Sequence, residues 1–391
     1  MSRLILFDTS NFTDFPIGGQ LTSIHNILRY IAEGHGERMQ DIILVGLTLQ
    51  REQIGRMQRV DLFGHKVKFF PVMQGEKDLD NTTKSIRVQY VKGILKYIGR
   101  LAIRRRDVCY INTPEAYAPL FVKCPWAHFV AFSHQNYFEM RESFRFYRDK
   151  QWVLTAFDTY LKFMVGRMGC IFVLNSSCEK AYQKYHGKTK RVVNSIVCPA
   201  DVVVREESRH RLLFVGRLSV NKGIHEIIRA LRQLPETYSL TIVGDGEDRE
   251  RLRALTRELQ LDVPMQTEGV PGGRVRFTGA VTPEEVQGYM RASDILIMNS
   301  GFEGLPMTIL EAQSHALPVV TTDVGGIGEA VHYGVDAEKT DGTAAGIAEA
   351  VYKIEADYHS YALHAMENAQ RFDYRTVNQT VYDTLVKTGW Q

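Results

Sequence analysis

Two rhythms of apolar and polar positions alternate along the second half of the chain. RLLFVG (211–216), YSLTIVG (238–244), VRFTG (275–279), ILIMN (295–299) and LPVVTT (317–322) are short apolar runs. Between them, GIHEIIRALRQL (223–234), EDRERLRALTREL (247–259), PEEVQGYMRA (283–292) and MTILEAQSHA (307–316) space their apolar residues at helical intervals. Short strands alternating with helices predict a parallel sheet covered on both faces. The first half repeats the theme less cleanly. RLILFD (3–8) and DIILVGL (41–47) read as strands around a helix at LTSIHNILRYIAEG (21–34), and KVKFFPV, DVCYINT, AHFVAFSH and CIFVLNS read as further strands. A chain of 391 residues is too long for one ordinary core. Two α/β halves follow, with a boundary near 196–210, where the rhythm breaks. Ligands of such sheets bind at the carboxyl ends of the strands, and with two halves the expected site is the cleft between them.

Candidate chemistry concentrates at those strand ends. In GFEGLPMTILEAQSHALPVVTTDVGG (301–326), Glu303 and Glu311 flank a proline that suits the first turn of a helix, so the helix is expected to begin near Leu305 or Pro306. A helix N-terminus offers unpaired N–H groups and a partial positive charge, a ready anion site. Carboxylates beside a phosphate pocket repel the phosphate, so the two acids suit hydrogen bonds from hydroxyls, a sugar on one side and a ribose on the other. A helix cap plus a solvated helix face explains the same spacing, and both readings stay open here. FVGRLSVNKG (214–223) places Arg217 and Lys222 in a strand–helix loop, where two cations can neutralise a diphosphate. Two ordinary surface cations are the alternative. GDG at 244–246 lacks the full dinucleotide fingerprint, and Asp245 would repel a pyrophosphate.

Charge changes the picture more than composition does. The net charge of +3 hides a split: residues 1–200 hold 29 Lys and Arg against 17 Asp and Glu, whereas residues 201–391 hold 19 against 28. Such a split fits an anionic partner, or a chance distribution. VKGILKYIGRLAIRRR (91–106) mixes apolar residues with six cations and no acid. It reads as an interfacial helix at an anionic membrane, or as an amphipathic helix with a basic outer face. No nucleic-acid module accompanies the basic residues, so nucleic acid is not an expected partner. The five cysteines form no CxxC pair, no apolar stretch approaches a membrane span, and the N-terminus lacks a signal-peptide pattern. A cytoplasmic location is expected, with possible attachment at the inner face of the membrane.

GRLSVNKG (216–223) and EGLPMTILEA (303–312), roughly 80 residues apart, together resemble the retaining glycosyltransferases of family 4. VGDGEDRERL, VRFTGAVTPEEVQGYMRASDILIMNS and LPVVTTDVGGIGEAV fall where that family has similar segments. The likeness is strong over 210–335 and weak in the first half, where GG at 18–19 and FSH at 132–134 carry it. It implies a GT-B fold: two Rossmann-like α/β domains with parallel sheets facing an interdomain cleft. Residues 1–200 would bind the acceptor and residues 201–370 the nucleotide-sugar donor, with a helix in 371–391 packing back on the first domain. Residue by residue, Glu303 would hold donor-sugar hydroxyls and Glu311 the ribose. Arg217 and Lys222 would hold the diphosphate. Gly304, Leu305, Pro306, Met307 and Thr308 would meet sugar and phosphate through backbone groups. Gly19 would approach the phosphate, Gly244 and Gly279 would line the nucleotide pocket, and His134 would border the sugar. VNSIVCPADV (193–202) replaces the family's usual interdomain turn, which leaves the hinge undefined. The resemblance implies transfer of a hexose from a UDP- or GDP-sugar, with retention, to a glycan or lipid-linked acceptor in cell-surface polysaccharide assembly. No metal and no separate cofactor are expected. A nucleotide-sugar epimerase, a sugar phosphorylase or a non-catalytic partner subunit would share the fold; the last usually lacks the motif acids or cations, and all four are present here.

Overall fold

A computed structural model describes residues 2–12, 19–75, 86–134, 151–262 and 273–391. The chain forms two compact units: Met1–Ser195 with Tyr374–Gln391, and Ile196–Asp373.

The first unit is built on β1 (Leu4–Phe7), β2 (Ile42–Thr48), β3 (Gln58–Leu62), β4 (His65–Gln74), β5 (Val108–Ile111), β6 (His128–Ser133), β7 (Cys170–Val173) and β8 (Thr189–Arg191). They lie in the order β3-β4-β2-β1-β5-β6-β7-β8, and every neighbouring pair is parallel except β3 with β4. Its helices include α1 (Gly19–Gly34), α2 (Ile86–Tyr97), α3 (Tyr117–Lys123), α4 (Gln151–Gly166) and α5 (Ser176–Gln183). The second unit has β9 (Arg211–Val215), β10 (Ser239–Val243), β11 (Val275–Gly279), β12 (Ile295–Met298), β13 (Val319–Thr321) and β14 (Ala337–Lys339), all parallel, in the order β11-β10-β9-β12-β13-β14. Its helices are α6 (Ile224–Gln233), α7 (Arg249–Glu258), α8 (Pro283–Ala292), α9 (Met307–Ser314), α10 (Ile327–Ala330), α11 (Ala344–Glu355) and α12 (Tyr358–Ala369). The last helix, α13 (Tyr374–Thr388), belongs to the first unit and packs on α1.

Strand side chains alternate, so each sheet can bury both faces. In the first unit Ile5 and Phe7 of β1 join a core with Tyr90 and Ile94 of α2, Tyr117 of α3 and Val165 of α4. Leu4 and Leu6 face the other way, toward Ile24 and Leu28 of α1 and Val381 and Leu385 of α13. Trp390 closes that side, fully buried under the Arg38 guanidinium, which lies 4.3 Å from its ring centre. In the second unit Arg274 is buried and donates to the carbonyls of Leu231, Leu234, Pro235 and Tyr238, which ties the end of α6 to β10. The chain leaves the first unit at Ser195 and re-enters it at Tyr374. Ile196 bridges to Asp373, and its amide donates to the Phe372 carbonyl at 2.9 Å, so 196–200 run with the second unit.

Three local features differ from the sequence reading. The β3–β4 hairpin is absent from it, because QRVDL alternates on a half-exposed edge and its tight turn is Phe63-Gly64, both at positive φ (53° and 77°). The 91–106 segment is not one continuous helix. A 3-10 turn, Ile98–Leu101, follows α2, and Ala102 takes a left-handed conformation (φ 44°). Ile94, Ile98, Leu101 and Ile103 are buried in the core while the six cations stay exposed, so its apolar residues serve the core and its basic face meets solvent. Finally, Pro306 is not in the first turn of its helix. Its ψ of 118° is extended, it precedes α9, and the helix begins at Met307. None of the five cysteines is in a disulfide. Among the described residues no helix is long and apolar enough to cross a membrane.

Candidate functional site

At the carboxyl edge of the second sheet, β9 runs into Gly216 and Arg217, and Lys222 ends a short 3-10 turn (Val220–Lys222) before α6. Asn299, just after β12, donates through Nδ2 to the carbonyls of Gly223 (3.2 Å) and Gly342 (3.0 Å). That fork anchors the Lys222 loop beside the end of β12. Lys222 Nζ donates to Glu303 Oε1, so the loop after β9 and the loop before α9 meet through an ion pair. Arg217 Nε donates to Glu247 Oε2 at 3.1 Å, and both side chains are largely exposed. Gly244 and Gly279 bond to each other, amide to carbonyl, at 3.0 Å. A Cβ on Gly244 (φ 132°) would stand 1.9 Å from the Gly216 carbonyl oxygen, so glycine is what lets the β9 and β10 loops approach.

Glu303 and Glu311 lie on either side of the α9 N-terminus. Met307 and Thr308 are the first helical residues, whose amides have no intrahelical acceptor. Leu305 and Pro306 are buried. Glu311, on the second turn, accepts no side-chain hydrogen bond from the described residues, and burial pushes its carboxyl up to about 7. A half-buried acid that accepts no side-chain hydrogen bond among the described residues is open to a hydroxyl donor from a ligand. Two devices hold this corner still. Gly325 (φ 60°) lets the loop after β13 pass so close to Glu303 that a Cβ there would sit 1.7 Å from its carbonyl oxygen. Behind α9, Gln313 donates to Asp336 (3.2 Å) and accepts from Asn368 (3.2 Å), tying α9 to α12.

In the first unit, Gly19 is the first residue of α1, whereas Gly18 lies outside the described residues. His134 directly follows β6 and stacks on Phe132 with ring centres 4.5 Å apart. Burial holds its imidazole down at about 4, so it is neutral at physiological pH. Asn112 Nδ2 donates to Asp8 Oδ2 at 2.6 Å, which leaves Asn112 Oδ1 to accept from His134 Nε2 at 2.8 Å. The network assigns the proton to Nε2 and leaves Nδ1 as an acceptor. Asp8 and Asn112 directly follow β1 and β5 as His134 follows β6, so all three share the carboxyl edge of that sheet. The sequence reading passed over Asp8, Asn112, Asn299 and Gly325. Polar residues directly after the apolar runs LILF, VCYI and ILIM were the available signal for the first three.

Comparison with known proteins bears on both units. Residues 209–357 match the sequence model of the family described as Glycosyl transferases group 1. A glycogen synthase of Mycobacterium tuberculosis is 32% identical over 176 residues, 42% of this chain and 40% of that protein. The lipopolysaccharide core biosynthesis glycosyltransferase LpsE of Rhizobium meliloti is 33% identical over 160 residues, 41% of each chain. The alignments thus span about two fifths of these curated relatives. Among solved structures, Anabaena HepE in complex with UDP and glucose superposes with a TM-score of 0.68 at 19% identity, covering 99% of this chain and 100% of its own. Sucrose-phosphate synthase of Thermosynechococcus elongatus gives 0.74 at 16% identity, with 99% of each chain covered. The fold is GT-B, with two parallel-sheet α/β domains.

Proposed function

We propose that this chain, whose second unit carries a glycosyl transferases group 1 domain on a GT-B fold, moves a hexose from a nucleoside diphosphate sugar to a glycan or lipid-linked acceptor, with retention of configuration and without a metal. The observation that carries the reading is the cluster at the second sheet's carboxyl edge: Arg217 and Lys222 on one loop, Glu303 bonded to Lys222, and Glu311, which accepts no side-chain hydrogen bond among the described residues, on the second turn of α9. Solved relatives of the same fold hold UDP and glucose, and curated relatives build lipopolysaccharide. Both support a sugar nucleotide as donor and surface polysaccharide as destination. Family 4 is the finer assignment, and five cysteines held as thiols suit a cytoplasmic location at the inner face of the membrane.

The reaction follows from charge. The bond from the anomeric carbon to the diphosphate breaks, and negative charge develops on the leaving diphosphate. Arg217, Lys222 and the first amides of α9 oppose it, which replaces the work a divalent cation does elsewhere. Glu303 orients the sugar through its hydroxyls and Glu311 holds the ribose. The acceptor hydroxyl bonds to the anomeric carbon on the face the diphosphate leaves, and its proton passes to the departing phosphate. The products are the glycoside and the nucleoside diphosphate. A thermal-shift screen against UDP, GDP, ADP and their sugar conjugates, with EDTA present, tests the donor site. A ligand at 100 times its Kd stabilises the fold by about 2.7 kcal/mol. A shift with one base, followed by donor consumption only when a glycan acceptor is added and an axial product linkage from an axial donor, is the expected result. Donor turnover without acceptor would point to an epimerase or phosphorylase instead. Silence across the whole screen would leave a partner subunit.

A further inference from the structure

Three neighbouring helices of the first unit present a face that is both apolar and cationic. Val88 and Leu95 of α2, Val122 of α3, Trp126 just beyond it, and Trp152 and Phe163 of α4 are all exposed, Trp152 at 74% and Val122 at 71%. Of the chain's three tryptophans, two stand here in solvent while Trp390 is fully buried. The face is continuous. α2 packs on α3, and the Phe121 and Phe163 rings meet edge-on at 5.0 Å. The Arg167 guanidinium lies over both rings, and Trp126 Nε1 donates to the Ile103 carbonyl at 3.2 Å. On α4, positions 152, 155, 156, 159 and 163 form one exposed stripe. None of these side chains is needed for the core, which α2 serves with Tyr90 and Ile94.

Charge decides what covers the face. Residues 86–134 and 151–167 hold ten Lys and Arg against three acids. Asp107 is buried on Arg3, Glu115 pairs with Arg87, and Asp158 is half-buried. Lys92, Lys96 and Arg100 stand exposed along α2 and its following turn, and Arg104, Arg105 and Arg106 come next. Lys123, Lys162 and Arg167 complete an exposed set of nine. A second copy of the same face would set cation against cation. Aliphatic tips such as Val88, Leu95 and Val122 offer nothing to nucleobases. A plane of lipid phosphates over acyl chains satisfies both features, with tryptophan at the boundary.

We infer that the α2–α3–α4 face docks on an anionic lipid bilayer, with Trp126, Trp152, Val122 and Phe163 entering the headgroup region and the surrounding cations holding lipid phosphates. The inference rests on the membrane location proposed above and names the surface that makes it, which would bring a lipid-linked acceptor to the chain. Its test needs no turnover, so failure of the docking and failure of the transferase reading are told apart. The full-length protein is sedimented with phosphatidylcholine vesicles, with and without phosphatidylglycerol. Binding is expected only with the anionic lipid, weakening with salt, with a blue shift of tryptophan emission. Arg104→Gln with Arg105→Gln should lower partitioning by about 25-fold, at about fivefold per cation. Trp126→Ala with Val122→Ser should lower it by about tenfold or more. Unchanged melting temperatures would show that these exposed substitutions leave the fold intact. Absence of sedimentation, equal binding to neutral vesicles, or binding that survives both double variants would overturn the inference. So would a concentration-dependent dimer, or retention on single-stranded DNA, that the same variants abolish.

Discussion

Glu311 carries a carboxyl that burial raises to about 7, and His134 an imidazole that burial lowers to about 4. Both shifts oppose folding, in different pH windows. For Glu311 the native state binds more protons than the unfolded chain between about 4.5 and 7, so its contribution to stability falls as pH rises through that range. For His134 the unfolded chain binds more protons between about 6.5 and 4, so stability is lost as pH falls through that window. Groups held at such a cost are expected where a ligand repays it. A ribose hydroxyl donates to the ionised form of Glu311 far better than to the neutral acid. Affinity for the preferred nucleoside diphosphate should therefore rise between pH 6 and 8 more steeply in the native protein than in Glu311→Gln. Calorimetry on both proteins subtracts the titration of the nucleotide itself. Superimposable pH profiles would remove Glu311 from the ribose site.

At the scale of elements, the site depends on loops that touch without side chains between them. Gly325 admits the β13 loop against the backbone of Glu303. Gly325→Ala adds a methyl at φ 60° where no space exists. The variant should lose about 1–3 kcal/mol of stability from backbone strain and still bind the bare nucleoside diphosphate, while transfer drops because Glu303 is displaced. Unaltered transfer at unaltered stability would show that the loop yields freely. Much at this scale was legible in the sequence. The strand–helix alternation over 211–322 needs only apolar periodicity, and the loops that carry Lys222 and Glu303 stand out by their Gly and charged residues between apolar runs. The ion pair itself was not legible, because it joins residues far apart in sequence. Nor was the Asp8–Asn112–His134 chain, whose members come from three strands that only the sheet order makes neighbours. The half-exposed β3 was missed because a short edge strand leaves little apolar pattern.

For the molecule as a whole, the second unit is one uninterrupted stretch, while the first is completed by α13. Val377, Val381, Leu385 and Trp390 are buried there against α1 and the sheet. At about 1.5–3 kcal/mol for each buried apolar side chain, their removal rivals the whole stability of a typical domain, about 5–15 kcal/mol. A chain ending at Asp373 should therefore lose the cooperative melting transition of the first unit and keep that of the second, together with nucleotide binding. Calorimetry with limited proteolysis reads both, and an intact first transition would refute the dependence. The same arrangement has a consequence during synthesis. The ribosome finishes all eight strands of the first sheet and then the entire second unit before it makes the helix that covers Leu4 and Leu6. Until then the nascent chain holds out a partly uncovered apolar surface, a waiting period in which chaperones have something to grip and premature termination leaves a product that cannot close.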